Sequence, residues 1–264
     1  MALLWAKQSA DCCYEVRSAG HSVRLYSNGV FHSQWNPNRV FSDAVWDLLG
    51  LAAFPVATAV AGKHPLRVLV LGVGGGAVIR QLLSLLDVRL IQGIDLDPTH
   101  LAISRRWFGL SGFPQVKLVV ADAVDWVANY KGPAFDLVID DLFGHSDNEV
   151  SRSVVFDRLW AARLAALVAD GGALVINNGN GREFKVARSE TAGYPLRVQL
   201  THPRYDNRML AVFSASGDST IAGLTGNRWR RCWQQCMQHQ FDSAAVVTAQ
   251  RRLAMSYLNR AKRV

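Results

Sequence analysis

Between Arg67 and about Ser214, short runs of β-branched and apolar residues alternate with stretches in which apolar positions recur every three or four residues. RVLVLG predicts a strand closed by glycine, and VIRQLLSLL a helix. LIQGIDLD predicts the next strand and PTHLAISRRWF the next helix, with Pro98 at its start. VKLVVAD, AVDWVANY and FDLVIDDLF continue as strand, helix and strand. VSRSVVFDRLWAARLAALVAD is expected as one long helix, followed by the strand GGALVINN. Such alternation predicts a mostly parallel sheet with helices on both faces. LRVQLTHP and RMLAVFSAS then predict a terminal antiparallel pair that closes the sheet.

The flanks follow other patterns. From Tyr14 to Gln34, stretches rich in Val, Leu, Tyr and Phe are divided by Ala19-Gly20 and Asn28-Gly29. Asn-Gly accepts the positive φ angles of a two-residue hairpin, so a small antiparallel β unit is expected there. Phe41 to Ala61 predicts a buried helix with a break near Pro55. From Asn227 onward, RWRRCWQQCMQHQ and AQRRLAMSYLNRAKRV have helical spacing. The expected organisation is an N-terminal unit (1–62), an α/β domain (63–216) and a helical tail (217–264).

Half of the 264 residues are hydrophobic, enough for a sizeable core, and there is no internal repeat. The net charge is +8, and residues 227–264 supply +7 of it through eight bases against one acid, Asp242. Trp229 and Trp233 lie among those bases. A solvated helix face is the plain reading and an anionic partner the alternative. Four cysteines are too few for a disulfide scaffold, which makes a reduced, cytoplasmic setting the expectation. Cys232, Cys236 and His239 share one helix face, but lack the tight knuckle of a zinc site, so they are read as packed residues and no metal is expected. No run is long enough to span a bilayer, and MALLWAKQ puts its apolar stretch before its first charge, the reverse of a secretory signal.

Candidate chemistry gathers at the carboxyl ends of the predicted strands. Gly72, Gly74, Gly75 and Gly76 form a glycine-rich turn between strand and helix, where backbone comes close to a ligand and helix N–H groups lie open. Asp95 ends the next strand, 19 residues after Gly76, as a ribose-binding acid would. Asp97, before Pro98, reads as a helix cap. Asp122 ends the third strand, where it suits an adenine amino group, a helix cap, or both. Asp140 and Asp141 end the fourth, and strand alternation turns them to opposite faces.

With these motifs the chain resembles the spermidine synthase-like branch of the class I S-adenosylmethionine-dependent transferases, from Tyr14 to about Ser214. GVGGGA is similar to the family's GGGDGG, IDLDP to V-E-I-D-P, VADAVDW to G-D-G/A, and DLVIDDLF to D-V-I-I-V-D. GGALVINN resembles the strand after the family's long helix. The resemblance implies a Rossmann-like methyltransferase fold preceded by a small β unit. It implies donor contacts at the four glycines, Asp95, Asp122 and Ala123, and a catalytic Asp141. His32 aligns with a substrate-binding Gln and, with Asp140, is the substrate-binding candidate.

The donor implied is S-adenosylmethionine or its decarboxylated form. The acceptor is a small molecule, and a homodimer is compatible with the resemblance. The chain also departs from the family. Gly75 stands where polyamine synthases carry an acid, Leu142-Phe143-Gly144-His145 follows Asp141 without an acid, and Phe41-Ser42-Asp43 replaces Tyr-His-Glu. Methyl transfer is therefore the preferred reading, with Arg80 expected to assist the donor's carboxylate. Aminopropyl transfer and a catalytically degenerate binding module are the alternatives.

Overall fold

The computed structural model describes residues 1–10, 12–51, 53–60, 64–146, 149–214, 231 and 252–264. Its N-terminal unit is an antiparallel sheet of β1 (Ala2–Gln8), β2 (Cys13–Ala19), β3 (Ser22–Ser27) and β4 (Val30–Trp35), paired in that order. Asn28 and Gly29 hold φ of 49° and 77°, as the two-residue hairpin requires. The hydrophobic pattern does not predict β1. It is an edge strand with all but Trp5 exposed, so no buried face imprints an alternation on it.

The expected helix from Phe41 begins later, as α1 (Trp46–Leu51) and α2 (Ala53–Val60). One residue explains the delay. The backbone N–H groups of Ser42, Asp43 and Ala44 all donate to the carboxylate of Asp47, at 3.1, 2.9 and 3.3 Å, which winds this segment into a turn with Asp43 at φ 57°. Asp47 is fully buried and also accepts from Gln81 Nε2 (2.7 Å) and Tyr257 Oη (3.1 Å). Burial pushes its carboxyl up to about 6 against the pull of these donors.

The α/β unit runs through β5 (Leu66–Leu71), α3 (Ala77–Leu85), β6 (Val88–Asp95), α4 (Pro98–Trp107), a 3₁₀ turn at Leu110–Gly112, β7 (Val116–Val120), α5 (Ala123–Asn129) and β8 (Phe135–Asp140). A hairpin of β9 (Phe143–Ser146) and β10 (Glu149–Arg152) comes next, then α6 (Arg158–Ala165), β11 (Val168–Asn178), α7 (Gly181–Glu190), β12 (Leu196–Thr201), β13 (Arg208–Phe213) and β14 (Lys262–Arg263). The sheet order is β14-β12-β13-β11-β8-β5-β6-β7. The five neighbouring strands β11, β8, β5, β6 and β7 are parallel, and β13 runs antiparallel to both β11 and β12. β8 is buried along its whole length, and β5 along all but Arg67. They read as near-continuous apolar runs because helices cover both faces. This is the α/β fold expected, with its closing antiparallel pair.

Three elements depart from expectation. The single long helix from Val150 to Asp170 is instead the β9–β10 hairpin, the short α6 and the start of β11. Asp157 sets the start of α6 by accepting from Trp160 N at 2.8 Å, and the Ser- and Val-rich residues before it suit extended chain. α7 is not predicted, because Phe184 and Ala187 are its only buried residues. Asn180 caps it by accepting from Arg182 N and Glu183 N. Of the basic tail, residues 252–258 are helical and β14 pairs with β12. Cys232, Cys236 and His239 lie outside the described residues, as do the expected domain boundaries at 62/63 and 216/217. No helix among the described residues is long and apolar enough to cross a membrane.

Candidate active site

From β5 the chain passes to β6 on one side of the sheet, and β8 lies on the other side of β5. The loops leaving β5 and β8 part at this switch point, which opens a crevice at the carboxyl ends. A cavity of about 510 Å³ occupies it. The glycine turn, Asp95, Asp122, Ala123 and Asp141 all line this cavity, and the N-terminal sheet adds Phe31 and His32.

The glycines divide into two pairs. Gly72 (φ 84°) lies so close to the carbonyl of Asp141 that a Cβ there would collide with it. Gly74 (φ 53°) lies under the carbonyl of His32, 3.4 Å from where its Cβ would be. These two line the cavity. Gly75 and Gly76, also expected at the donor, do not line it. A Cβ on Gly75 would be 2.5 Å from Phe108 Cζ, and one on Gly76 2.6 Å from Leu110 Cδ1. The ring of Phe108 fills the space that an acidic side chain at position 75 would need.

Asp95 is held by the turn it faces. Its Oδ2 accepts from Val73 N (2.9 Å) and Gly74 N (2.8 Å), and its Oδ1 from Asp97 N (2.9 Å). A carboxylate has about four lone-pair sites, so acceptor capacity remains for a ligand hydroxyl. Asp97 caps α4 as expected, accepting from Thr99 N at 2.7 Å, and its other oxygen accepts from Tyr14 Oη at 2.6 Å. Asp122 caps α5 through Oδ1 alone, from Val124 N (2.7 Å) and Asp125 N (3.1 Å), while it lines the cavity.

The sequence reading missed His100. It lines the cavity, hydrogen-bonds Ser27 Oγ at 2.8 Å, lies 3.9 Å from Asp95 Oδ1, and has its ring 5.2 Å from that of His32. A histidine five residues after the strand-end acid, in the first turn of the next helix, was the available signal. Arg80 is turned away instead of reaching the cavity. Its guanidinium lies 4.3 Å from the ring centre of Trp35 and 4.8 Å from that of Phe113, and burial lowers its pKa. The expected contact with a donor carboxylate is corrected accordingly.

The two adjacent acids face opposite ways. Asp140 is fully buried, outside the cavity, and its Oδ2 accepts from Arg152 Nη2 (2.7 Å) and Trp160 Nε1 (3.0 Å). It is a packing partner of the hairpin and α6, which corrects its assignment to substrate. Asp141 lines the cavity, and its Oδ1 accepts from Asn177 Nδ2 at 2.7 Å. Asn207 Nδ2 in turn donates to Asn177 Oδ1 at 3.0 Å. Part of Asp141 reaches the cavity, yet its carboxyl is withdrawn from bulk water. Desolvation pushes it up to about 7, helped by the charges of Asp140 and Asp95 and opposed by Asn177 and Arg152. A carboxyl poised near neutrality can hold or release a proton at working pH. Trp46, Phe143, Tyr205 and Asn207 complete the wall beyond it. Among the described residues no group of three or more His, Cys, Asp or Glu is arranged to hold a metal ion.

Over 92 residues the chain is 34% identical to polyamine aminopropyltransferase 2 of Caldanaerobacter subterraneus, covering 34% of this chain and 31% of that protein. Over 83 residues it is 30% identical to the eEF1A lysine and N-terminal methyltransferase of Homo sapiens, covering 30% of this chain and 12% of that one. The chain thus spans less than a third of the length of these curated relatives. The crystal structure of spermidine synthase from Thermotoga maritima superposes with a TM-score of 0.63 at 14% identity, covering 98% of this chain and 87% of that one, which establishes the shared fold. The spermine/spermidine synthase domain model matches residues 51–187, just over half of the sequence, so the chain belongs to the spermine/spermidine synthase domain family.

Proposed function

We propose that the protein is a transferase that binds S-adenosylmethionine and passes its methyl group to a small acceptor, with Asp141 at the point of transfer. The observation that carries this reading is the meeting of four strand-end features, the glycine turn, Asp95, Asp122 and Asp141, in one cavity. The ribose hydroxyls pair with Asp95, the adenine lies beside Asp122 and Ala123, and the sulfonium is directed toward Asp141. The acceptor's lone pair attacks the methyl carbon, and the carbon–sulfur bond breaks with its electrons on sulfur. The acceptor's proton passes to Asp141, whose raised pKa suits it to receive one. His32 and the aromatic wall of Phe31, Trp46 and Tyr205 contact the acceptor. A cytoplasmic setting accompanies this reading.

Aminopropyl transfer from decarboxylated S-adenosylmethionine is the second reading, favoured by the aminopropyltransferase relatives. Methyl transfer is preferred because Asp95, Asp122 and Asp141 are the acids among the described lining residues, and two of them lie at the donor. A polycationic acceptor needs more counter-charge than one carboxylate supplies. Calorimetric titration of S-adenosylmethionine, its decarboxylated form and methylthioadenosine tests the choice. Methyl transfer expects S-adenosylmethionine to bind at least as tightly as the decarboxylated donor. A clear preference for the decarboxylated donor would favour aminopropyl transfer, and no binding of any of the three would remove the donor site altogether.

A further inference from the structure

Arg152 ends the hairpin strand β10, and almost none of its side chain reaches solvent. Each edge of its guanidinium is committed. Nη2 donates to Asp140 Oδ2 at 2.7 Å, Nη1 to the Asn177 carbonyl at 2.6 Å, and Nε to the Val154 carbonyl at 3.2 Å. Both of its shorter contacts concern Asp141. Asp140 is the neighbouring acid, and Asn177 is the residue whose amide holds the Asp141 carboxylate. The hairpin that carries Arg152 is fastened at the same point, where Ser153 N donates to the Leu142 carbonyl at 3.1 Å. Phe143, Gly144, Ser153 and Val154 from this segment line the cavity.

We propose that Arg152 is a positioning residue for the reaction, one that holds the Asp141 carboxylate in place through Asn177 and sets the electrostatic field around it by neutralising Asp140. The proposal rests on the assignment of Asp141 to the acceptor step. Asp140 Oδ1 is buried with no hydrogen-bond partner among the described residues, so Arg152 is the counter-charge that keeps this anion tolerable beside the cavity. Asp140 from β8, Arg152 from β10 and Asp95 from β6 act on Asp141 through their charge, β11 brings the neutral Asn177, and His32 from β4, His100 from α4 and Asp122 before α5 line the same cavity. Arg152 and Asp140 act on Asp141 in opposite directions.

The opposed signs give a test that a structural role alone would not pass. In ligand-free protein labelled with carboxyl-¹³C aspartate, the Asp141 resonance is assigned by its loss in Asp141→Asn and followed against pH. Arg152→Gln should raise the Asp141 midpoint by about one unit or more, and Asp140→Asn should lower it. The double variant, with a neutral pair that can still hydrogen-bond, should return it near the parent value. If Arg152→Gln does not fold, Asp140→Asn and the double variant still decide. An Asp141 midpoint that stays fixed in folded Arg152→Gln or in Asp140→Asn, or that moves the same way in both, overturns the proposal. Methylthioadenosine binding is measured in parallel and should stay within about threefold in every folded variant, because Asp95 and the glycine turn are untouched. Loss of that binding in the parent protein would instead count against the donor reading and leave the titration result standing.

Discussion

On one side of the cavity, polar groups are fixed by backbone. Asp95 is pinned by the N–H groups of Val73, Gly74 and Asp97, and Asp122 by those of Val124 and Asp125. On the other side they are fixed by side chains. Asp141 is held by Asn177, Asn177 by Asn207, and Asp140 by Arg152 and Trp160. A group held by backbone keeps its place whatever side chains surround it. A group held by side chains can be re-aimed by one substitution several residues away. The first arrangement suits a part of the site that recognises one constant molecule, and the second suits a part that varies with the acceptor.

The largest expected effect falls on the seam between the halves. Gly72→Ala puts a methyl group into the Asp141 carbonyl at φ 84°. Thermal or urea unfolding should register a loss of about 3 kcal/mol or more, from left-handed strain and overpacking together. An unchanged midpoint would mean that the two strand ends are not in contact.

A pair of substitutions separates the halves themselves. Asp95→Ala should weaken methylthioadenosine binding by about 2–3 kcal/mol, through lost hydrogen bonds to a charged acceptor and a loosened turn. Asn177→Ala should leave that affinity within about threefold and instead slow turnover about tenfold or more, as Asp141 loses its anchor. Equal damage to binding from both would erase the distinction.

The effect of pH is somewhat smaller. With its folded pKa near 7, above the ordinary carboxylate value, Asp141 binds its proton more tightly in the folded state. Its contribution favours folding at low pH and is lost as pH rises toward 7. Asp141→Asn should therefore stabilise the protein relative to the parent at pH 8, by on the order of 2 kcal/mol, and much less at pH 4. Melting curves at the two pH values check the sign. The smallest effect is expected at Asp122→Ala, which removes a helix cap at a cost of about 1 kcal/mol, while Asp122→Asn keeps most of the cap. A cap-sized loss in both variants would point to a role for the charge itself.

The same contrast explains what could be read from the sequence. Asn28-Gly29, Asp97-Pro98, the glycine turn and the acid after it are local signals, because short-range backbone geometry demands those residue types. The turn's details were less legible. Nothing local reveals that Gly75 backs onto Phe108, or that Arg80 lies between Trp35 and Phe113. The side-chain half leaves no such trace. Arg152 meets Asp140 and Asn177 only because a hairpin forms where helical spacing suggests a helix, and no spacing rule links Asn177 to Asn207. His100 carried a weak local signal, and β1 and β14 carried none because they are exposed edge strands.

The turn before α1 has a consequence for hydrogen exchange. The amides of Ser42, Asp43 and Ala44 belong to a connecting segment, but their acceptor is the buried carboxylate of Asp47, which Tyr257 closes from 210 positions further along the chain. To exchange with solvent they must wait for that contact to open, so they should be protected like core amides rather than loop amides. Val45 and Trp46, on the wall of the cavity, follow immediately. A ligand resting against Trp46 would slow the same openings, and loosening the helix that carries Tyr257 would speed them, so deuterium uptake at residues 42–44 would report on both the occupied cavity and a distant part of the chain.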